Sequence, residues 1–155
     1  MKTLTAGLLA PLLTLAAVPA FADDAGRGVT GPEALAVLDA MDLEPELLTD
    51  SVGDPMIRFR SNGLNAYLNF YDCSAGRCGS LQLEVGLDLE SGTSLHVANV
   101  FNSRYRYARM LLDDEMDPFL HYDFEVLHAD HAAHIRSQVE IFGRLLGDFQ
   151  RAVDF

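Results

Sequence analysis

Two cysteines, Cys73 and Cys78, stand five positions apart and are the only ones in the chain. A pair this close can be oxidised into a bridge that locks a turn, or kept as a redox dithiol. A catalytic dithiol usually has two intervening residues at a helix start, where the thiolate is stabilised. Here there are four, Ser74-Ala75-Gly76-Arg77, with no helix signal. In an oxidising compartment the spacing reads most simply as a structural disulfide closing a short loop between strands. Closing so short a loop stabilises by only about 2 to 3 kcal/mol, enough to fix a turn and too little to replace a core.

His128, His131 and His134 recur every three residues around Asp130, where the last helix begins. Neutral imidazoles on one turn can share a Zn or Cu ion, so this cluster is the nearest approach to a metal-binding or metallo-hydrolase site. Against it, steps of three rotate progressively round a helix, and no fourth ligand is identifiable. The plainer reading is an exposed first turn facing water and nearby acids. Asp113-Asp114-Glu115-Met116-Asp117 offers oxygen ligands, but it lacks the glycine and terminal glutamate of an EF-hand loop and reads as a solvated hairpin turn. Ser74 and Ser80 lie in no nucleophile elbow, and neither a phosphate loop nor a dinucleotide fingerprint is present. Paired carboxylates among 23 acids are a base-rate coincidence and not a motif. The residues thus define no catalytic group, no cofactor-binding group and no metal ligand set, and the chain reads as non-catalytic.

Charge narrows the partners. Eleven Lys and Arg against 23 Asp and Glu give a formal charge of -12, which repels a phosphate backbone. Arg104, Arg106 and Arg109 interleave with Tyr105 and Tyr107 in a way that could stack on RNA, but in so acidic a chain carboxylates are the better partners. Nucleic acid is therefore not an expected partner. The 155 residues, 49% hydrophobic and 22% charged, suit one folded domain.

The first 22 residues run from Met1-Lys2 through an apolar stretch, interrupted by Pro11, to Ala20-Phe21-Ala22. That order is the n-region, h-region and small-x-small site of a secretory signal peptide. Pro11 and Pro19 make it too short for a span, and no later segment is apolar enough for stable membrane insertion. The expected layout is a signal peptide over 1–22, a flexible lead over 23–30 and one domain over 31–155, located in the periplasm. Processing also removes Lys2, the one lysine, which moves the formal charge from -12 to -13.

The elements follow from periodicity. Thr30 with Glu33 forms a capping box that opens a helix from about Pro32 to Met41. From Leu43 to Leu89 the period is two: Ile57 and Phe59 alternate with charged neighbours, Asn62-Gly63 supplies a hairpin turn, and Leu64 to Phe70 continues on one face. Leu81, Leu83, Val85, Leu87 and Leu89 alternate with polar residues as a half-buried strand. Leu95–Phe101 is a short helix, and Tyr105–Leu112 and Phe119–Val126 are two more strands. The last helix, from about His131 to Phe155, carries Ile135, Val139, Phe142, Leu146, Phe149 and Val153 at steps of four and three. The order α-β-β-β-β-α-β-β-α with short links predicts an α+β two-layer domain, an antiparallel β-sheet with helices packed on one face.

Gly53-Asp54-Pro55, Phe70-Tyr71-Asp72-Cys73, Gly76 to Gln82, Asn99 to Arg109, and Leu112-Asp113 with Asp117-Pro118 carry a family likeness. Together they resemble the secreted YbjN-domain proteins of Gram-negative bacteria, with Phe-Tyr-Asp-Cys-x4-Cys-x-Ser-Leu-Gln as the specific block. The resemblance implies a fold like that of type III secretion chaperones and a sensory-transduction regulator of undetermined activity. It also implies a protein or peptide partner and, because such chaperones pair, a homodimer. Ile141 and Leu145 widen the apolar arc of the last helix, so the expected partner-binding surface is Ile141, Leu145 and Phe149. Mass spectrometry of the exported protein is expected to find Asp23 as its first residue, and any other start would relocate the cleavage site.

Overall fold

A computed structural model describes residues 28–126 and 130–155. Helix α1 (Gly31–Asp39) is followed by strands β1 (Glu46–Thr49), β2 (Pro55–Ser61), β3 (Leu64–Ser74) and β4 (Arg77–Gly86). Helix α2 (Leu95–Arg104), strands β5 (Ala108–Leu112) and β6 (Pro118–Glu125), and helix α3 (His131–Ala152) complete the chain. The six strands form one antiparallel sheet in the order β1-β2-β3-β4-β6-β5, so the domain is α+β as expected. The single departure from sequential neighbours, β6 between β4 and β5, is where α2 intervenes.

Hairpins set the register. Asn62 and Gly63 take φ of 48° and 82°, the left-handed pair that a two-residue turn needs to match strand twist, and Ser61 lies opposite Leu64. From there the alternation fixes the faces. Ile57, Phe59, Ala66, Leu68, Phe70, Leu81, Leu83, Val85, Leu120, Tyr122 and Phe124 are all buried on one side of the sheet. A one-residue slip would turn this whole set to water.

Helix α3 covers that side. Ile135, Val139, Phe142, Leu146 and Phe149 are its buried stripe, while Arg136, Glu140 and Arg144 are exposed. Phe142 meets the Tyr122 ring of β6 edge-on at 6.4 Å, and Phe149 meets Phe101 of α2 at 6.1 Å. The Tyr122 hydroxyl, carried into this core, donates to Gln138 of α3. Burial is the leading cause that raises its pKa, with the Tyr107 phenol adding to it.

Ends and edges are tied by polar groups. Thr30 Oγ1 accepts from the Glu33 amide at 3.3 Å, and Glu33 Oε2 accepts from the Thr30 amide at 2.8 Å, the capping box read from sequence. That amide, with help from Arg77, outweighs partial burial and holds the Glu33 carboxyl below its ordinary pKa. Residues 28–30, expected to end a flexible lead, are instead fixed. Val29 is fully buried and bridges Cys78 through both backbone groups, at 3.0 and 2.8 Å, while the Arg77 guanidinium donates twice to the Gly28 carbonyl. The free edge of β5 is blocked by Asn102 of α2, whose carboxamide accepts from the Met110 amide at 2.7 Å and donates to the Met110 carbonyl at 3.0 Å. Asn102 thus takes the place of a seventh strand at that residue.

Several boundaries move. β5 starts at Ala108 and not at Tyr105, because Tyr107 takes a left-handed φ of 73° that no ladder accommodates. β4 ends at Gly86, and beyond it the Leu87 amide donates to the Pro118 carbonyl at 3.0 Å as the chain leaves the sheet. α2 extends to Arg104, and α3 stops at Ala152. Phe149→Ala should cost about 3 to 5 kcal/mol in urea unfolding, as expected for emptying a sealed core site. A change under about 0.5 kcal/mol would mean that the side chain faces solvent.

Candidate functional site

The pattern that buries one face of the sheet leaves the other to side chains of the opposite parity. Glu46, Arg58, Tyr67, Glu84, His121 and Arg109 lie side by side across all six strands. A second row runs Leu48, Met56, Asn69, Gln82 and Asp123. These rows form a broad surface of mixed charge and aromatic area on the side away from the core.

Neighbours hold one another in place. Gln82, only 7% exposed, donates to Asp123 Oδ1 at 2.7 Å and accepts weakly from the Tyr71 hydroxyl at 3.4 Å. Asp123 also pairs with Arg109, and Arg58 pairs with Glu46. Glu84 Oε2 accepts from Asn69 at 3.4 Å and lies 3.3 Å from His121 Nε2. Opposite charges directly across strands contribute a few tenths to about 1 kcal/mol each, so the gain is chiefly fixed geometry. Tyr71 is 46% exposed, and its phenol pKa is raised first by partial burial and then by Glu84, Asp123 and Asp50. It stays neutral and serves as a hydrogen-bonding group.

Gly86 shapes the lower rim. A Cβ there would come within 2.5 Å of the Phe119 ring, so the absence of a side chain lets Phe119 lie across the strand. Phe119 in turn meets His121 edge-on at 6.5 Å. Beside them Leu64, Tyr67, Glu84 and Asp117 border a shallow hollow of about 440 Å³. Alternation along each strand already marked these outward residues, but the sequence did not show that none of the described helices lies over them.

The residues singled out from sequence fall in several places. Phe149 is fully buried, so it presents no surface on the single chain, because the stripe that resembled a seam is used against the sheet and α2. Ile141 and Leu145 are half-buried and pack against the core beside it. His128 lies outside the described residues. His134 Nε2 is 3.0 Å from the Glu125 carbonyl with its ring against Phe124, whereas His131 lies in an apolar hollow between α1 and α3. The two have separate surroundings, and among the described residues no three His, Cys, Asp or Glu side chains gather as a metal would require.

Arg109 finds a carboxylate, as expected, while Arg104 and Arg106 lie 5.5 and 5.6 Å from the ring centroids of Tyr105 and Tyr107. The acidic turn is closed internally, Asp113 Oδ1 accepting from the Glu115 and Asp117 amides at 3.0 and 2.8 Å. Cys73 and Cys78 are directly opposite across β3 and β4, with Cα atoms 3.9 Å apart and sulfurs at bonding distance. Among the described residues no helix is long and apolar enough to cross a membrane.

An antiparallel sheet with one face covered by helices and one face left to fixed polar and aromatic rows defines a small α+β domain. The family model YbjN, described as "Putative bacterial sensory transduction regulator", matches residues 35–155, and the chain belongs to that family. No curated protein and no solved structure matches it. Thiol labelling of protein isolated without reductant should give no signal, and reduction should then release two thiols. Replacing both cysteines with serine should cost about 2 to 3 kcal/mol in urea unfolding.

Proposed function

We propose that this YbjN-domain protein is an exported, non-catalytic module that works in the periplasm by presenting a surface to a protein or peptide partner. The observation that carries this reading is the outer sheet face, whose Arg58, Tyr67, Tyr71, Glu84, Arg109 and His121 stand in registered rows with none of the three helices over them. Tyrosine supplies large contact area at low cost in conformational freedom, and tyrosine and arginine are both enriched among the residues that dominate binding energy at protein interfaces. Their mutual hydrogen bonds mean that a partner meets a surface already ordered. An active site would instead converge its polar groups in a cavity.

The chaperone-like resemblance supports the same kind of action by analogy of fold alone. Regulation of a signalling partner by occupancy of this face is consistent with the family description. Homodimerisation through the same face is the second form of the reading, favoured by rows in which cations and carboxylates alternate.

Crosslinking in periplasmic extract should capture a specific protein with the wild-type chain, and the Arg58→Ala, Tyr71→Ala double variant should lose it without losing stability. Light scattering on the purified chain reports the dimer form. A strict monomer at high micromolar concentration that captures nothing, or a double variant that captures as well as wild type, would overturn the assignment of this face.

A further inference from the structure

Away from the sheet face, α2 and the C-terminal end of α3 enclose a groove of about 550 Å³. Its apolar floor is made by Val97, Val100, Phe101, Tyr105 and Ala152, and Val100 remains 48% exposed there. Its rim carries His96, Arg104 and Arg151, with Asp148 as the one carboxylate. Asp148 is already paired with Arg151 one turn away. Arg104 forms no ion pair among the described residues. Its guanidinium carbon lies 5.5 Å from the Tyr105 ring centroid, which holds it at the rim with its donors free. In a chain of formal charge -12 this groove is a local reversal of sign over an apolar floor.

The walls decide what kind of molecule fits. They are helix side chains, and the helix amides behind them are bonded within the helices with only last-turn carbonyls left over, so the groove offers no alternating row of amides and carbonyls to an extended peptide. A peptide laid there would leave its own backbone groups poorly paired, which costs about 1 to 3 kcal/mol for each group that loses water. A molecule with a single charged end and an apolar body has no such groups to satisfy. The volume lies within the roughly 300 to 1,000 Å³ usual for small-molecule sites.

We infer that the groove between α2 and α3 binds an acyl carboxylate, its chain along Val97, Val100, Phe101 and Ala152 and its carboxylate on Arg104. Arg104 and Arg151 also stand in the last turns of their helices, where they complement the helix dipoles, a role that occupies none of their donors. The site is separate from the outer sheet face and does not depend on the function assigned to that face.

The test is an NMR titration of the purified protein with sodium decanoate, with 1-decanol and a decanoyl lysophospholipid as comparison ligands. Saturable shifts confined to α2 and the last turns of α3 are expected with decanoate. Arg104→Ala should weaken binding about tenfold or more, the size of one lost charge-assisted hydrogen bond. Val100→Asp, at an exposed position that tolerates the change, should abolish it. Decanol should bind at least about tenfold more weakly because it brings no anion to Arg104, and the lysophospholipid should do so because a glycerol ester separates its phosphate from the acyl chain and carries it past the Arg104 guanidinium. Decanol or the lysophospholipid binding as well as decanoate, Arg104→Ala leaving affinity unchanged, or shifts scattered over the whole surface would each overturn the inference.

Discussion

Phe142, Leu146 and Phe149 of α3 lie against a sheet whose inward side chains, from Ile57 to Phe124, belong to five different strands. Neither surface is stable alone. An amphipathic helix with Gly143 and Gly147 in its interior takes most of its stability from tertiary packing, and a sheet with one wholly apolar face would associate with another. Their mutual burial therefore sets the position of nearly everything else. It fixes the strand register, because a slip by one residue would expose the whole set, and it draws α2 into place through Phe101 against Phe149. It also determines which side of the sheet is left for a partner.

The remaining polar interactions act at the margins of that core. The Val29 bridge to Cys78, the two bonds from Arg77 to Gly28 and the Arg77–Glu33 ion pair attach the start of the domain to the tip of the β3–β4 hairpin. The cysteine pair sits in that same hairpin, so its bond locks the piece of structure on which the amino-terminal attachment rests. At the far edge Asn102 satisfies Met110 on the side where another strand would pair. Closing the β5 edge in this way directs association toward the sheet face and away from edge-to-edge pairing.

The outer face and the α2–α3 groove differ in a way that suits different ligands. The face is flat, with cations and carboxylates interleaved and cross-bonded, which suits another folded surface. The groove is narrower, apolar at its floor and cationic at its rim, which suits a small amphiphile. Both are by-products of how the three helices are distributed: α1 and α3 cover the core side, and α2 folds against β5 and leaves a gap beside the end of α3.

Local chemistry in the sequence was enough for the elements and for their buried sides. The capping box at Thr30, the Asn62-Gly63 turn, the strict alternation from Leu81 to Val85 and the stripe of α3 each act within a few residues, so no long-range information is needed to read them. The Phe-Tyr-Asp-Cys block carried the family for the same reason, since the paired cysteines are neighbours on one hairpin. What the sequence left open depends on residues far apart in the chain. That Gln82 is sealed against Asp123 follows from the insertion of β6 between β4 and β5, that Arg109 finds Asp123 follows from the β5–β6 register, and that Phe149 meets Phe101 and cannot face a partner follows from the packing of α2 against α3. A period of 3.6 states that a helix has an apolar side but not what will cover it, and a period of two states that a strand has a polar side but not whether anything lies over it. Only tertiary packing assigns the cover, because it alone decides which apolar surfaces meet and so which polar ones are left to water.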